Sequence, residues 1–128
     1  MKEYMLLIRN RGDAKKYLTE SEHLAFIKQC EVYITHLKNQ KQLIAAQPLI
    51  REGLIVSRSE NRWLETPIAD NKEVQVGYYH ILANNMDEAM YIAKNNPEFK
   101  FVSSATIEVR PIKTMEKETG FKYPGEEK

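Results

Sequence analysis

A histidine in the first turn of a predicted helix is the first candidate for chemistry. At 100° per residue, His23 lies close to the centre of the apolar face of that helix, near Ile27, Cys30 and Ile34. An imidazole held there, next to a sheet, can serve as a general acid or base. The alternative is a first-turn histidine whose ring is satisfied by a backbone carbonyl or by water.

Three polar side chains share one face of the last predicted strand, residues 104–112. Alternation along this strand places Thr106, Glu108 and Arg110 together, opposite Ile107 and its apolar neighbours. A buried carboxylate and guanidinium must pair or meet a ligand. One interpretation is an anion-binding Arg110 oriented by Glu108. The other is a structural ion pair across a dimer interface.

A glycine precedes the third group of candidates, Tyr78, Tyr79 and His80. Gly77 permits a bulge or a close approach that would re-aim the side chains after it. Tyr78 and His80 share a face and could line a pocket, although ordinary aromatic strand packing is the alternative. Asp70, in the loop before this strand, is a candidate catalytic partner for His23, or else a turn-forming aspartate.

Nothing in the sequence predicts a metal or a cofactor. His23, His36 and His80 have no ligand spacing, and no glycine-rich phosphate loop or C-x-x-C motif is present. Cys30, the single cysteine, lies on the apolar helix face and is interpreted as a small core residue.

The elements that must position these residues follow from periodicity and end signals. Thr19 and Glu22 predict a capping box that opens a helix running to about Lys41, and Asn85 caps a second helix that ends at Pro97. Strands are predicted at residues 3–9, 43–50, 54–58, 62–65, 73–83 and 104–112. The three strands at 43–50, 54–58 and 62–65 are predicted to form a small β-meander.

This order predicts an α+β domain with a ferredoxin-like β-α-β-β-α-β sheet and both helices on one face. The other face would be left bare, and a monomer rarely leaves a large apolar face in water. We therefore expect a homodimer through the open sheet face. Residues 1–113 form the predicted domain, and residues 114–128 form a charged C-terminal extension.

Composition narrows the function classes. Nineteen basic and 18 acidic residues give a net charge of +1, and the interleaved charges predict a solvated surface rather than a nucleic-acid footprint. The apolar runs are only strand-sized, so neither a membrane span nor a signal-peptide core is predicted. The expected compartment is the cytoplasm.

Three stretches together resemble the YCII-related (DGPF-type) family over about residues 2–113. They are the opening strand 2–8, the segment from Glu65 to Glu73 with its continuation through Gly77-Tyr78-Tyr79 and the helix start 86–89, and residues 107–112. Pro67 remains from the Asp-Gly-Pro-Phe motif, and Lys72-Glu73 matches outright. His23 matches a histidine of the YCII branch, whereas the Asp-Pro of that branch appears here as Asn96-Pro97.

The resemblance implies a dimeric α+β barrel and a mostly unassigned function, with an enzyme role suspected from cleft chemistry. The leading hypothesis is a homodimeric cleft protein that performs acid–base chemistry on a small organic anion. His23 would be the acid or base, Asp70 or Glu108 would orient it, and Arg110 would hold the anion, with Tyr78 and His80 lining the site. The alternative is a non-catalytic ligand-sensing or dimerisation module.

Overall fold

The fold was obtained as a computed structural model that describes residues 1–12, 14–69 and 71–125. Its elements run in the order β1 (Lys2–Arg11), a 3₁₀ turn (Ala14–Tyr17), α1 (Glu20–Asn39), β2 (Leu43–Pro48), β3 (Leu54–Ser59), β4 (Arg62–Pro67), β5 (Glu73–Ala83), α2 (Met86–Lys94), α3 (Glu98–Phe101) and β6 (Thr106–Pro111). The mixture of helices and antiparallel sheet confirms the predicted α+β class.

Four strands form one antiparallel sheet in the order β2-β5-β1-β6. The chain passes from β1 through α1 to β2, and from β5 through the other helices to β6. Each crossover therefore skips one strand, which is the split β-α-β pattern of the predicted sheet. Pro48 ends β2 at the edge of the sheet, where its missing amide costs no ladder hydrogen bond.

Alternation along the central strands puts the hydrophobic core on one face of this sheet. Tyr4, Leu6 and Ile8 of β1 are buried there. The core is completed from β5 and both long helices by Tyr33, Leu37, Tyr79, Ile81, Ala83, Ala89, Ile92 and Ala93. The helices thus cover one face, and the odd-numbered residues of β1 point to the other, which we call the open sheet face.

Side-chain caps fix where the two long helices begin. Thr19 accepts a hydrogen bond from the amide of Glu22, whose carboxylate accepts from the amide of Thr19 at 3.0 Å, so the predicted capping box is confirmed. Asn85 caps α2 by accepting from the amide of Glu88. These caps set the start of α1 and therefore the position of His23 in its first turn.

The predicted β-meander of β2, β3 and β4 is wrong. β2 pairs with β5 through most of its length, whereas β3 and β4 pair only with each other as a separate two-stranded sheet. The chain leaves the main sheet after Pro48, where the Leu49 amide donates to Val76 O at 2.9 Å. We call the projecting hairpin, residues 54–67, the arm.

The residues after β6 fold back on themselves. Met115 and Lys122 form an isolated antiparallel bridge, and the Tyr123 amide donates to Thr114 O at 2.9 Å. The Phe121 and Tyr123 rings meet edge to face. Within the described ranges, no helix is both long enough and apolar enough to cross a membrane.

Candidate functional site

A cavity of about 380 Å³ lies between the N-terminal half of α1 and the β2 edge of the sheet. Its walls are mostly apolar and come from Ile8, Phe26, Ile27, Ile34, Ala46, Pro48, Val76 and Gly77. The polar groups that reach it come from separate parts of the chain: Lys15, His23, Cys30, Glu31, Gln47, Tyr78, Tyr79 and Glu98. An apolar pocket with a few convergent polar groups is the usual form of a small-molecule site.

A buried carboxylate, Glu98, lies at one end of the cavity and is only 3% exposed. Its oxygens accept a hydrogen bond from Asn10 Nδ2 at 3.1 Å and form an ion pair with Lys15 Nζ at 3.3 Å. The Lys15 ammonium also lies over the Phe26 ring, 4.3 Å from its centre. Because a buried charge is tolerated only when it is paired, these contacts explain how Glu98 stays in the interior.

The amide side chains around Glu98 extend this polar cluster. Asn96 Oδ1 accepts from the Glu98 amide at 2.9 Å, and Asn10 Oδ1 accepts from Arg51 Nη1 at 3.4 Å. Asn10 stands near the end of β1, and Asn96 precedes Pro97 before α3. The cluster therefore ties the end of the first strand to the start of the last helix.

His23 lines the cavity from its exposed rim. The helix places it on the cavity side of α1, as predicted, but the residue is solvent-exposed rather than covered by the sheet. Among the described residues, none hydrogen-bonds to its ring. The imidazole therefore faces both solvent and the cavity, and no described side chain fixes its orientation.

Burial favours the neutral forms of the thiol and phenol side chains near the cavity by raising their pKa values. It raises the pKa of the Cys30 thiol to about 11, an effect that Lys15 opposes and Glu98 reinforces. Burial likewise raises the pKa of Tyr33 and Tyr79, whose rings pack edge to face at 5.3 Å. Cys30 is thus a poor nucleophile here, in line with its interpretation as a core residue.

Gly77 determines the shape of the cavity where β5 meets β2. The β1 register passes from Ile8 opposite Gly77 to Arg9 opposite Gln75, so β5 carries a bulge at this point, as predicted. A Cβ on Gly77 would lie 3.1 Å from the Gln47 carbonyl oxygen, so a larger residue would require β2 to move away by a few tenths of an ångström. Tyr78, the next residue, contributes to the cavity wall.

The polar strand residues occupy the open sheet face instead. Glu108 Oε1 accepts a hydrogen bond from Arg9 Nη2 at 3.4 Å, and Glu108 Oε2 forms an ion pair with Arg110 Nη1 at 3.6 Å. Both Glu108 and Arg110 are exposed. Nearby on the same face, His80 Nε2 contacts Glu3 Oε1 at 2.7 Å, and both side chains are largely covered.

The predicted site residues therefore fall into two groups on opposite faces of the sheet. His23 lines the cavity, whereas His80, Glu108 and Arg110 belong to the open sheet face. Tyr78 borders the cavity, but its position opposite Leu7 puts its side chain on the open sheet face as well. Within one chain the strand register places Arg110 on the opposite face of the sheet from His23, so their action in one cleft stays a prediction that would need a second copy. Asp70 lies outside the described residues.

Two residues of the cavity were missed from the sequence, Glu98 and Lys15. Each stands in a charged surface-like stretch, and no periodicity marks either as buried. The one available signal was the position of Glu98, directly after Asn96-Pro97, where the similar family branch carries Asp-Pro. In the structure, the carboxylate that lines the cavity comes from Glu98, two residues after Asn96.

A second, larger groove of about 950 Å³ separates α1 from α2. Its carboxylate, Glu88, accepts hydrogen bonds from Gln42 Nε2 and from both the backbone and side-chain nitrogens of Asn84. These bonds tie the start of α2 to the sheet and leave Glu88 little capacity for a ligand. No group of three or more metal-ligating side chains converges within the described part of the chain.

The fold and the cavity define a small α+β domain with a candidate small-molecule site under its first helix. A family model for the YCII-related domain matches residues 2–116, and the chain belongs to that family, whose function is unknown. A comparison with curated proteins finds no match.

Proposed function

We propose that this chain is a homodimeric cleft protein that binds a small organic anion in the cavity and performs acid–base chemistry on it. One observation carries the proposal: an imidazole, an ammonium and a buried carboxylate from three separate elements line a single apolar cavity. Titratable groups that converge in one pocket are typical of catalytic sites.

Each of the three groups has a distinct role in this proposal. Lys15 supplies the positive charge for the anionic group of the ligand, taking the part first assigned to Arg110. Glu98 and the Phe26 ring hold the ammonium in place, so less entropy is lost when the ligand binds. His23 takes a proton from the ligand or returns one, because its imidazole lines the cavity and no described residue hydrogen-bonds to its ring nitrogens.

The open sheet face supports the homodimer. Met5, Leu7 and Leu82 on this face are only half-buried. Apolar side chains left in contact with water on a sheet face favour a partner, and a second copy related by a two-fold axis would cover them. Arg110 and Glu108 would then lie at or near the interface.

A titration of the ¹⁵N-labelled protein with butyrate and with benzoate tests the binding site. We expect amide shifts clustered at Phe26, Cys30 and Gly77, and a binding constant at least about tenfold weaker in Lys15→Met, which loses the ammonium. Lys38→Met, on the polar side of α1, is the matched control and should bind like the wild type. Shifts confined to the groove between α1 and α2 would contradict the site.

Catalysis is tested separately from binding. In D₂O, a general base at His23 should accelerate exchange of the protons next to the carbonyl of a small 2-oxo acid such as 2-oxobutyrate. His23→Gln should abolish that acceleration while carboxylate binding persists, and His36→Gln should leave both unchanged. Exchange that is equally fast in His23→Gln would rule out this role for the imidazole.

A non-catalytic ligand sensor is the second candidate function. It is favoured by one observation, the lack of any group among the described residues that orients the His23 ring, since a catalytic base is usually held by a third residue. A sensor should bind the carboxylates in the titration and show no proton exchange in any variant.

A further inference from the structure

The arm carries a dense set of exposed large apolar side chains. Every residue from 54 to 67 is exposed, and the Trp63 side chain is 66% exposed. The arm carries five exposed large apolar side chains, and Leu49 and Ile50, which precede it in the chain, bring the total to seven: Leu49, Ile50, Leu54, Ile55, Val56, Trp63 and Leu64. Such a patch on a soluble protein marks an interaction surface.

The arm is apolar on both of its faces. Leu54, Val56 and Trp63 lie on one face according to the β3–β4 register, and Ile55 and Leu64 lie on the other. An isolated two-stranded hairpin is at best marginally stable in water. The arm therefore needs a surface that covers more than one of its faces, and its own domain leaves both uncovered.

The root and tip hold the arm in a defined shape. At the root, the Ile68 amide donates to Gly53 O at 3.2 Å. At the tip, Glu60 and Asn61 have positive φ angles of 49° and 66°, which suit a tight two-residue hairpin turn. Arg58 stacks on Trp63, with its guanidinium carbon 5.2 Å from the ring centre. Tryptophan and arginine are the residues most often found at interface hot spots.

We infer that the arm docks on a second copy of this chain, so that two copies exchange arms. At roughly 100 Å² for each of these seven side chains, the arm together with Leu49 and Ile50 offers on the order of 700 Å², near the about 800 Å² per partner of a standard interface. A two-fold exchange doubles this contribution, because each copy brings the same arm. The total exceeds the roughly 1,200 Å² that stable complexes bury.

This inference extends the homodimer of the proposed function and is independent of the ligand in the cavity. It adds an element that the open sheet face lacks, a projecting pair of strands that can reach across a two-fold axis. At about 3.4 Å per residue, a six-residue strand extends roughly 20 Å from its root.

Trp63 is the only tryptophan in the chain, so its fluorescence reports directly on the arm. We expect sedimentation velocity of the wild-type protein to show a dimer at micromolar concentration. Dilution that dissociates the dimer should shift the emission to the red and raise acrylamide quenching in step. A dimer with a fully quenchable Trp63 would overturn arm exchange and leave the open-face homodimer standing.

A matched pair of variants completes the test. Trp63→Ser should weaken the dimer by about 30-fold or more, as expected for a hot-spot aromatic. Tyr91→Ser removes an aromatic side chain that is 70% exposed on α2, away from the arm, and should leave the dimer unchanged. Equal effects of the two substitutions, or a wild-type protein that stays monomeric, would contradict the inference. Carboxylate binding measured on the same samples tests the cavity independently.

Discussion

The two faces of the four-stranded sheet are built from neighbouring residues of the same strands, yet they are completed in different ways. On the helical face, Leu6 and Ile81 are fully buried, and the charge at its margin, Glu98, is enclosed by partners. On the open face, Leu7 is half-buried, and Glu108 meets its arginines in contact with solvent. One face is finished by the chain itself, and the other leaves half-buried leucines and exposed charges in contact with solvent.

The largest expected effect on stability comes from truncating a leucine on the helical face, and truncating the neighbouring leucine on the open face is its comparison. Leu6→Ala should lower the free energy of unfolding by about 2–5 kcal/mol, because a fully buried leucine leaves a cavity. Leu7→Ala, one residue away on the open face, should cost less than half as much in dilute monomer. Urea unfolding measures both, and equal costs in the monomer would break the comparison. A Leu7→Ala cost that grows with protein concentration would show that a partner covers this face.

The reactivity of the Cys30 thiol tests how far the helical face is shielded from water. Its pKa of about 11, raised by burial from the usual 9.0, favours the thiol. Between pH 7 and 9, the thiolate fraction should be on the order of 100-fold lower than in the unfolded chain. The rate of iodoacetamide alkylation should be lower by a similar factor and rise with pH past 9. The same protein in urea is the matched control, since it holds the same single cysteine, and equal rates would contradict burial of the thiol.

The two glutamates give a smaller and more specific comparison. Glu98→Gln removes the charge that pairs with Lys15 inside the cavity and should cost about 1–3 kcal/mol of unfolding free energy. Glu108→Gln removes an exposed charge and should change stability by less than about 0.5 kcal/mol. Thermal unfolding of the two variants measures this difference. A Glu98→Gln protein as stable as the wild type would show that Lys15 finds another partner.

Local signals explain which parts of this fold could be predicted. The Thr19–Glu22 capping box, the Asn85 cap and the strand predicted at residues 3–9 each depend on residues close in sequence, and each is confirmed. The bulge beside Gly77 was also readable, because a glycine in a strand has few other reasons to be there.

The remaining features depend on pairings across the chain that no local pattern encodes. β3 and β4 have strand-like sequences, but Pro48 and the segment after it take them off the sheet, so the predicted meander became the arm. Glu98 is buried only because Asn10 and Lys15, more than 80 residues earlier, meet it. His23 and Arg110 both suggested chemistry, but the register that separates them exists only in the folded sheet.

The smallest expected effect concerns the Glu108–Arg110 pair on the open face. Their contact at 3.6 Å is exposed, so a double-mutant cycle with Glu108→Gln and Arg110→Gln should give a coupling of about 0–1 kcal/mol in dilute monomer. If a second copy covers this face, removal of water strengthens the interaction, and the coupling should increase at concentrations where the dimer forms. A coupling that stays constant through the monomer–dimer transition would mean that this edge of the face remains in solvent.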